Sequence, residues 1–285
     1  MQKTLKKYWP VFVLPTLIAF AIAFILPFVI GLYLSFCDFT TITNATFTGF
    51  ENYKTAFAAG QNFLYSFSFT ALFTVISIVT VNVIAFVLAY FLTKKLKGTN
   101  FFRTVFFMPN LIGGIVLGYT WQTMINAFLA RYGTTLVADA KYGFIGLIIL
   151  MNWQMIGYMM IIYIAGLQNV PTELIEAAKI DGATRWQTFL KIQLPLMAPV
   201  LQVILLLSIN GTLHTGEYIY VMTGGAPGGT THTVMSYLLS KYTPGIAGAV
   251  TNLGYGCASS FVTSINMCLI AIGYNKLSAK MNNLY

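Results

Sequence analysis

Between Pro171 and Pro195 the chain gathers Glu173, Glu176, Lys179, Asp181, Arg185 and Lys191, six of only twenty-three Asp, Glu, Lys and Arg residues in 285. Acids, cations and the aromatic Trp186 and Phe189 in so short a stretch can build a docking surface, with Ala177 and Ala178 as small exposed residues that let another backbone come close. The same cluster also reads as a solvated loop between two helices. Elsewhere reactive side chains are sparse. Paired carboxylates, Ser/His/Asp sets and metal-ligand spacings are missing at any one membrane depth, which argues against a membrane enzyme. Cys37, Cys257 and Cys268 form no CxxC or Cys/His pattern, and three is an odd number for a disulfide framework, so they read as small apolar residues. His214 reads as a hydrogen-bond partner, and His232 lies in a loop without a second ligand at metal spacing.

What must position the charged stretch is membrane. With 57% apolar and 8% charged residues and a mean hydropathy of +0.74, the chain is far from a soluble domain. A helix needs about 20 mostly apolar residues to cross the hydrocarbon. Six segments qualify, at about 11–36, 67–92, 105–124, 143–167, from beyond Pro195 and Pro199 to a frayed end near Tyr220, and 254–274. The fold class expected is all-α, a polytopic transmembrane helical bundle forming a single domain over 1–285. The apolar run behind Lys3, Lys6 and Lys7 exceeds a secretory signal's core and reads as an uncleaved anchor.

Orientation follows from Lys and Arg, which stay on the cytoplasmic side. With both termini inside, Lys3, Lys6, Lys7, Lys94, Lys95, Lys97, Arg103, Lys179, Arg185, Lys191, Lys276 and Lys280 are cytoplasmic, leaving Lys54, Arg131, Lys141 and Lys241 outside. The formal charge of +9 is then topology and attraction to anionic membrane lipid, with no nucleic acid as partner. The charged stretch falls in the cytoplasmic loop between the fourth and fifth spans. Thr172 can cap a first short helix, with Glu173 and Glu176 near its positive end, and Gly182 can break it. Thr184 can cap a second, whose Trp186, Phe189 and Leu190 share a face, stopped before Pro195.

Glu176-Ala177-Ala178, three residues, Gly182, nine residues, Ile192, one residue, Leu194-Pro195 resembles the EAA signature of permease subunits in bacterial ATP-binding-cassette importers, and Asp181-Gly182-Ala183 fits its common form. NWQMIGYMMIIYIAGLQNVPTELIEAAKIDGA and YIYVMTGGAPGGTTHT are similar to the carbohydrate, maltose-type group. The resemblance implies a bacterial inner-membrane location and a coupling loop over about 171–195 that transmits the closure of two separate ATPase subunits. It implies a second, homologous permease subunit and an extracytoplasmic solute-binding protein. No GxxxxGK[ST] loop occurs, so ATP and Mg belong to the partner chains and this chain has no cofactor of its own.

Gly224, Gly225, Gly228 and Gly229 lack the Lys and Ser/Thr of a phosphate loop. With Pro227 they read as tight turns in a loop over about 222–233, which the resemblance makes an outer gate. For a solute pathway the residues offer Asn110, Asn152, Trp153, Gln154, Ser208, Asn210 and Thr212, any of which can equally serve interhelical hydrogen bonding. The resemblance places a transit pocket around Asn110, Met151, Gln154, Ser208 and Thr212, although Met151 and Gly211 offer no side-chain hydrogen bond. Glu217 is the one acidic side chain near membrane depth and reads either as facing the bundle interior or as lying in water at the outer interface. The competing function is an ion-coupled secondary transporter, for which the sequence offers only Glu217 and no internal repeat.

Overall fold

The computed structural model describes residues 2–58, 62–94, 97–243 and 251–282. Lys95, counted above among the cytoplasmic cations, lies outside them. In chain order the elements are α1 (Gln2–Phe20), which passes through a wide turn at Ala21–Ile25 into α2 (Leu26–Leu34), then β1 (Cys37–Asp38), β2 (Thr46–Phe47), α3 (Glu51–Phe57) and α4 (Asn62–Leu92). Next come α5 (Thr99–Phe107), α6 (Gly114–Leu129) and α7 (Ala140–Gln168). Then follow α8 (Thr172–Ile180), α9 (Arg185–Thr188), α10 (Leu194–Leu196), α11 (Ala198–Leu213), α12 (Glu217–Met222), α13 (Val234–Tyr242) and α14 (Leu253–Asn282). The two strands pair antiparallel with Cys37 opposite Phe47 and Asp38 opposite Thr46, a clip too small to disturb the all-α class.

Five stretches of the described residues, Pro10–Leu34, Asn62–Leu92, Ala140–Gln168, Ala198–Met222 and Leu253–Lys280, are long and apolar enough to cross a bilayer. The count reaches six when Thr99–Leu111 and Gly114–Tyr132, bent by 100°, form one broken span. The sequence reading of one continuous helix over 105–124 is therefore corrected. Pro109 has no N–H to donate, so Met108–Leu111 tightens into a 3₁₀ turn. Ile112 and Gly113 then go extended (ψ 132° and 139°), and α6 restarts in a new direction at Gly114.

In lipid, apolar side chains gain little by leaving hydrocarbon for protein, so close packing and interhelical hydrogen bonds must hold the bundle. α4 is the spine. Ala85 and Ala89, one turn apart and fully buried, let α7 approach, where Met159, Met160, Tyr163 and Ile164 meet them. Further along α4, Phe69 and Phe73 pack with Leu147, Leu150 and Met151 of α7 and with Ile219 and Met222 of α12. α5 crosses α7 so closely at Gly157 that a Cβ there would run into the Phe106 carbonyl oxygen. By contrast, nearly every described side chain from Val11 to Ile30 is exposed, the surface a span offers to lipid or to another subunit.

Candidate functional site

The charged loop is two short helices locked by local chemistry. α8 begins at Thr172 itself, with the extended Pro171 before it and no side-chain cap, so Thr172 is the first helical residue and not its cap. Its far end is a Schellman motif. Gly182 takes φ +80°, its N–H donates to Lys179 O at 3.1 Å, and the Ala183 N–H reaches back to Ala178 O at 2.9 Å. Asp181 closes the last α turn onto Ala177 O at 2.9 Å. Two residues later Thr184 caps α9 as its sequence predicts. Its hydroxyl accepts from Gln187 N at 3.2 Å while the Gln187 side chain accepts from Thr184 N at 2.8 Å, a reciprocal capping box.

The second helix does not stop before Pro195. A wide π turn over Phe189–Gln193, closed by Leu194 N–H on Phe189 O, leads through α10 to α11. The widened turn accommodates the donor that proline lacks. Hence the loop is joined to the fifth span by almost continuous helix rather than by a hinge.

Helical spacing sorts α8 into two faces. Glu173, Glu176, Ala177 and Ile180 follow i, i+3, i+4, i+7, and all four are exposed, Ile180 to 86%. Ile175, Ala178 and Lys179 lie on the opposite side, and Ala178 is buried, so the expectation of two exposed alanines holds for Ala177 alone. The exposed stripe combines two acids, a small residue and one isoleucine knob, with Asp181 and Gly182 exposed at its end. The expected apolar face of α9 is not sealed, since Trp186 is 67% and Leu190 41% exposed, while Phe189 packs between Trp186 and Phe86 with tilted rings at 5.6 and 5.4 Å between ring centres. Ile192, Leu194 and Pro195 are half-buried where the loop enters the bundle.

At membrane depth the polar residues separate into two groups. Ser208 and Thr212 are buried on one face of α11. Ser208 Oγ accepts from Asn82 Nδ2 at 3.0 Å, Asn82 Oδ1 accepts from Tyr163 OH at 3.1 Å, and Thr212 returns its proton to the Ser208 carbonyl at 2.9 Å. This junction ties α4, α7 and α11. Asn152 likewise donates to Thr80 at 2.9 Å across α7 and α4. Asn82 and Tyr163 were not singled out from sequence, although a lone Asn in the apolar run of α4 was the available signal.

The second group surrounds the break in the third span. Gln154, Glu217, His214, Tyr218 and Gly114 line a cavity of about 310 Å³. The sulfur of Met151 accepts the Tyr218 hydroxyl at 2.7 Å. Glu217 is exposed in the first turn of α12, and a Cβ on Gly114 would stand 3.3 Å from its Oε2. Thus its carboxylate lies over the start of α6, at an end where a helix favours negative charge. Asn110 is half-buried in the tight turn of the break itself.

The loop over 222–233 is pinned from several helices. Gln122 of α6 donates to the carbonyls of Val221 and Met222 at 3.1 and 2.9 Å, Asn62 of α4 donates to Gly228 O at 2.8 Å, and Thr233 donates to Thr215 O at 2.9 Å. Gly225 and Gly229 take φ of +82° and +87°, and a Cβ on either would meet the His232 ring or the Asn62 amide. His232 is buried with Nδ1 3.1 Å from Ser236 Oγ, and burial, helped by the charge of Lys241, pushes its pKa down to about 4. Among the described residues no group of three His, Cys, Asp or Glu could hold a metal ion.

Residues 97–275 match the family described as "Binding-protein-dependent transport system inner membrane component". The chain is 40% identical over 235 residues to a "probable starch degradation products transport system permease protein" of Thermoanaerobacterium thermosulfurigenes, covering 80% of each. It is 30% identical over 291 residues, 98% of each chain, to a multiple sugar-binding transport system permease protein of Streptococcus mutans. A bacterial ABC transporter that imports the acidic polysaccharide alginate shares the fold, with a TM-score of 0.79 at 23% identity over 98% of both chains. The chain is a member of the binding-protein-dependent transport system inner membrane component family.

Proposed function

We propose that the chain is the sugar-translocating permease subunit of a bacterial inner-membrane ATP-driven importer, carrying a sugar or oligosaccharide by alternating access. It pairs with a second permease subunit, takes solute from an extracytoplasmic binding protein, and leaves ATP and Mg to two ATPase subunits. The observation that carries the coupling role is the outward stripe Glu173, Glu176, Ala177 and Ile180 on α8, which the Gly182 turn ties to α9, itself almost continuous through the π turn and α10 with the fifth span. An ATPase gripping that stripe moves α11 with it, and α11 bears on α4 and α7 through Ser208 and Asn82. The loop over 222–233 would gate the outer side, and the cavity beside Gln154 and Glu217 offers hydrogen bonds of the kind sugar hydroxyls need.

Ile180 gives the sharpest test because its side chain touches so little of its own subunit. Replacing Ile180 with Asp should leave the chain folded and inserted, while ATPase co-purification falls at least about tenfold, as expected for an apolar anchor lost at an interface centre. Undiminished ATPase recovery and transport in that variant would refute the coupling role of α8.

A further inference from the structure

Behind α8, on the side away from the outward stripe, lies an open groove of about 800 Å³. Its walls come from the last turns of α4 (Phe86, Tyr90) with Lys94 just beyond them, from α8 (Ile175, Lys179) and from the stretch between α8 and α10 that includes Arg185, Trp186 and Phe189. Three cations line it and no acid does. Among the described residues the one ion pair is Lys54 with Glu51, so none of the three cations is neutralised by a carboxylate. The Lys94 ammonium, exposed at the rim, sits 4.4 Å from the centre of the Tyr90 ring.

The groove is graded along α4. Phe86, packed on Phe189 with the rings tilted, lies inside α4 about one turn before Tyr90, and Lys94 stands two residues beyond the end of α4 at Leu92. Apolar aromatic walls below, a Tyr and a Trp at the transition, and cations above follow the order of a bilayer's own layers. Free phosphate would use only the upper third, and an acidic peptide would leave the Phe86–Phe189 floor without a partner of matching depth.

We infer that this groove binds an anionic glycerophospholipid of the cytoplasmic leaflet, its phosphate among Lys94, Lys179 and Arg185 and an acyl chain along Phe86 and Phe189. The inference rests on the orientation proposed above. Its consequence is that lipid charge acts on the inner face of the same α8 whose outer face meets the ATPase, so leaflet composition tunes the coupling helix.

The test reads lipid binding itself, so its failure is separable from failure of the transport reading. The assembled importer, delipidated in mild detergent, is titrated with phosphatidylglycerol or phosphatidylcholine and bound lipid is counted by native mass spectrometry. The expected result is at least one phosphatidylglycerol held about tenfold or more over phosphatidylcholine, since each cation near a headgroup contributes about fivefold. Combined Lys94→Gln, Lys179→Gln and Arg185→Gln should abolish the preference, whereas Lys276→Gln with Lys280→Gln should keep it. Brominated phosphatidylglycerol should also quench a fluorescence component absent from Trp186→Phe. An unchanged preference in the triple variant would overturn the proposal, as would displacement of the lipid by glycerol 3-phosphate at equal concentration, which would make the ligand a soluble phosphate.

Discussion

Gly182 is where backbone conformation and function can be separated. Its φ is +80°, and a Cβ built there would meet nothing within 4 Å. Substitution is therefore resisted by the left-handed conformation and not by crowding within the subunit. An L-residue in that region costs about 1–2 kcal/mol, and for alanine about 0.4–1 kcal/mol is recovered through the less flexible unfolded chain. The remainder, about 1 kcal/mol, weakens the Schellman bonds of Gly182 and Ala183 to Lys179 and Ala178 and raises the frayed population of α8 about fivefold. Asparagine tolerates this region best among side chains, and a β-branched valine worst. Binding-protein-stimulated ATPase and transport in proteoliposomes should fall in the order Gly, Asn, Ala, Val, with assembly measured in parallel by co-purification. If Ala matched Gly while Asn and Val failed together, side-chain bulk at the ATPase surface would be the determinant and the conformational argument would be wrong.

Gly157→Ala should destabilise the chain by about 1–3 kcal/mol or prevent its folding, because the new methyl meets the Phe106 carbonyl. Gly273→Ala, in α14 with no atom within 4 Å, should be neutral or slightly stabilising, and thermal unfolding in detergent compares the two. Buried His232 binds a proton at about pH 4 when folded and near 6.5 when unfolded, so its contribution is fully present above pH 6.5 and is lost as pH falls toward 4. The loss should reach roughly 2–3 kcal/mol, and His232→Gln should flatten the unfolding temperature across that window while leaving the profile above pH 7 unchanged.

Much of the charged loop over 171–195 was legible because its determinants sit within a few residues of each other. A glycine four residues past the last small residue of α8 and a Thr-x-x-Gln pair specify the Schellman turn and the capping box without help from the rest of the chain. Spans 67–92, 143–167 and 254–274 were equally readable, since insertion depends on summed hydropathy along one stretch. The third span misled because its hydropathy runs on past Pro109, while the bend depends on how Ile112 and Gly113 leave the helix.

Only the tertiary structure decided which polar residues spend their hydrogen bonds on each other. Ser208 and Thr212 share a face by spacing alone, but that this face meets Asn82 and Met159, while Gln154 and Glu217 border a cavity, depends on helices far apart in the chain. A residue's propensity to insert, cap or turn is set by its own neighbours and is written locally. Whether its polar atoms face a partner or a passage is set by the rotation and depth at which separate helices pack, which no single stretch encodes.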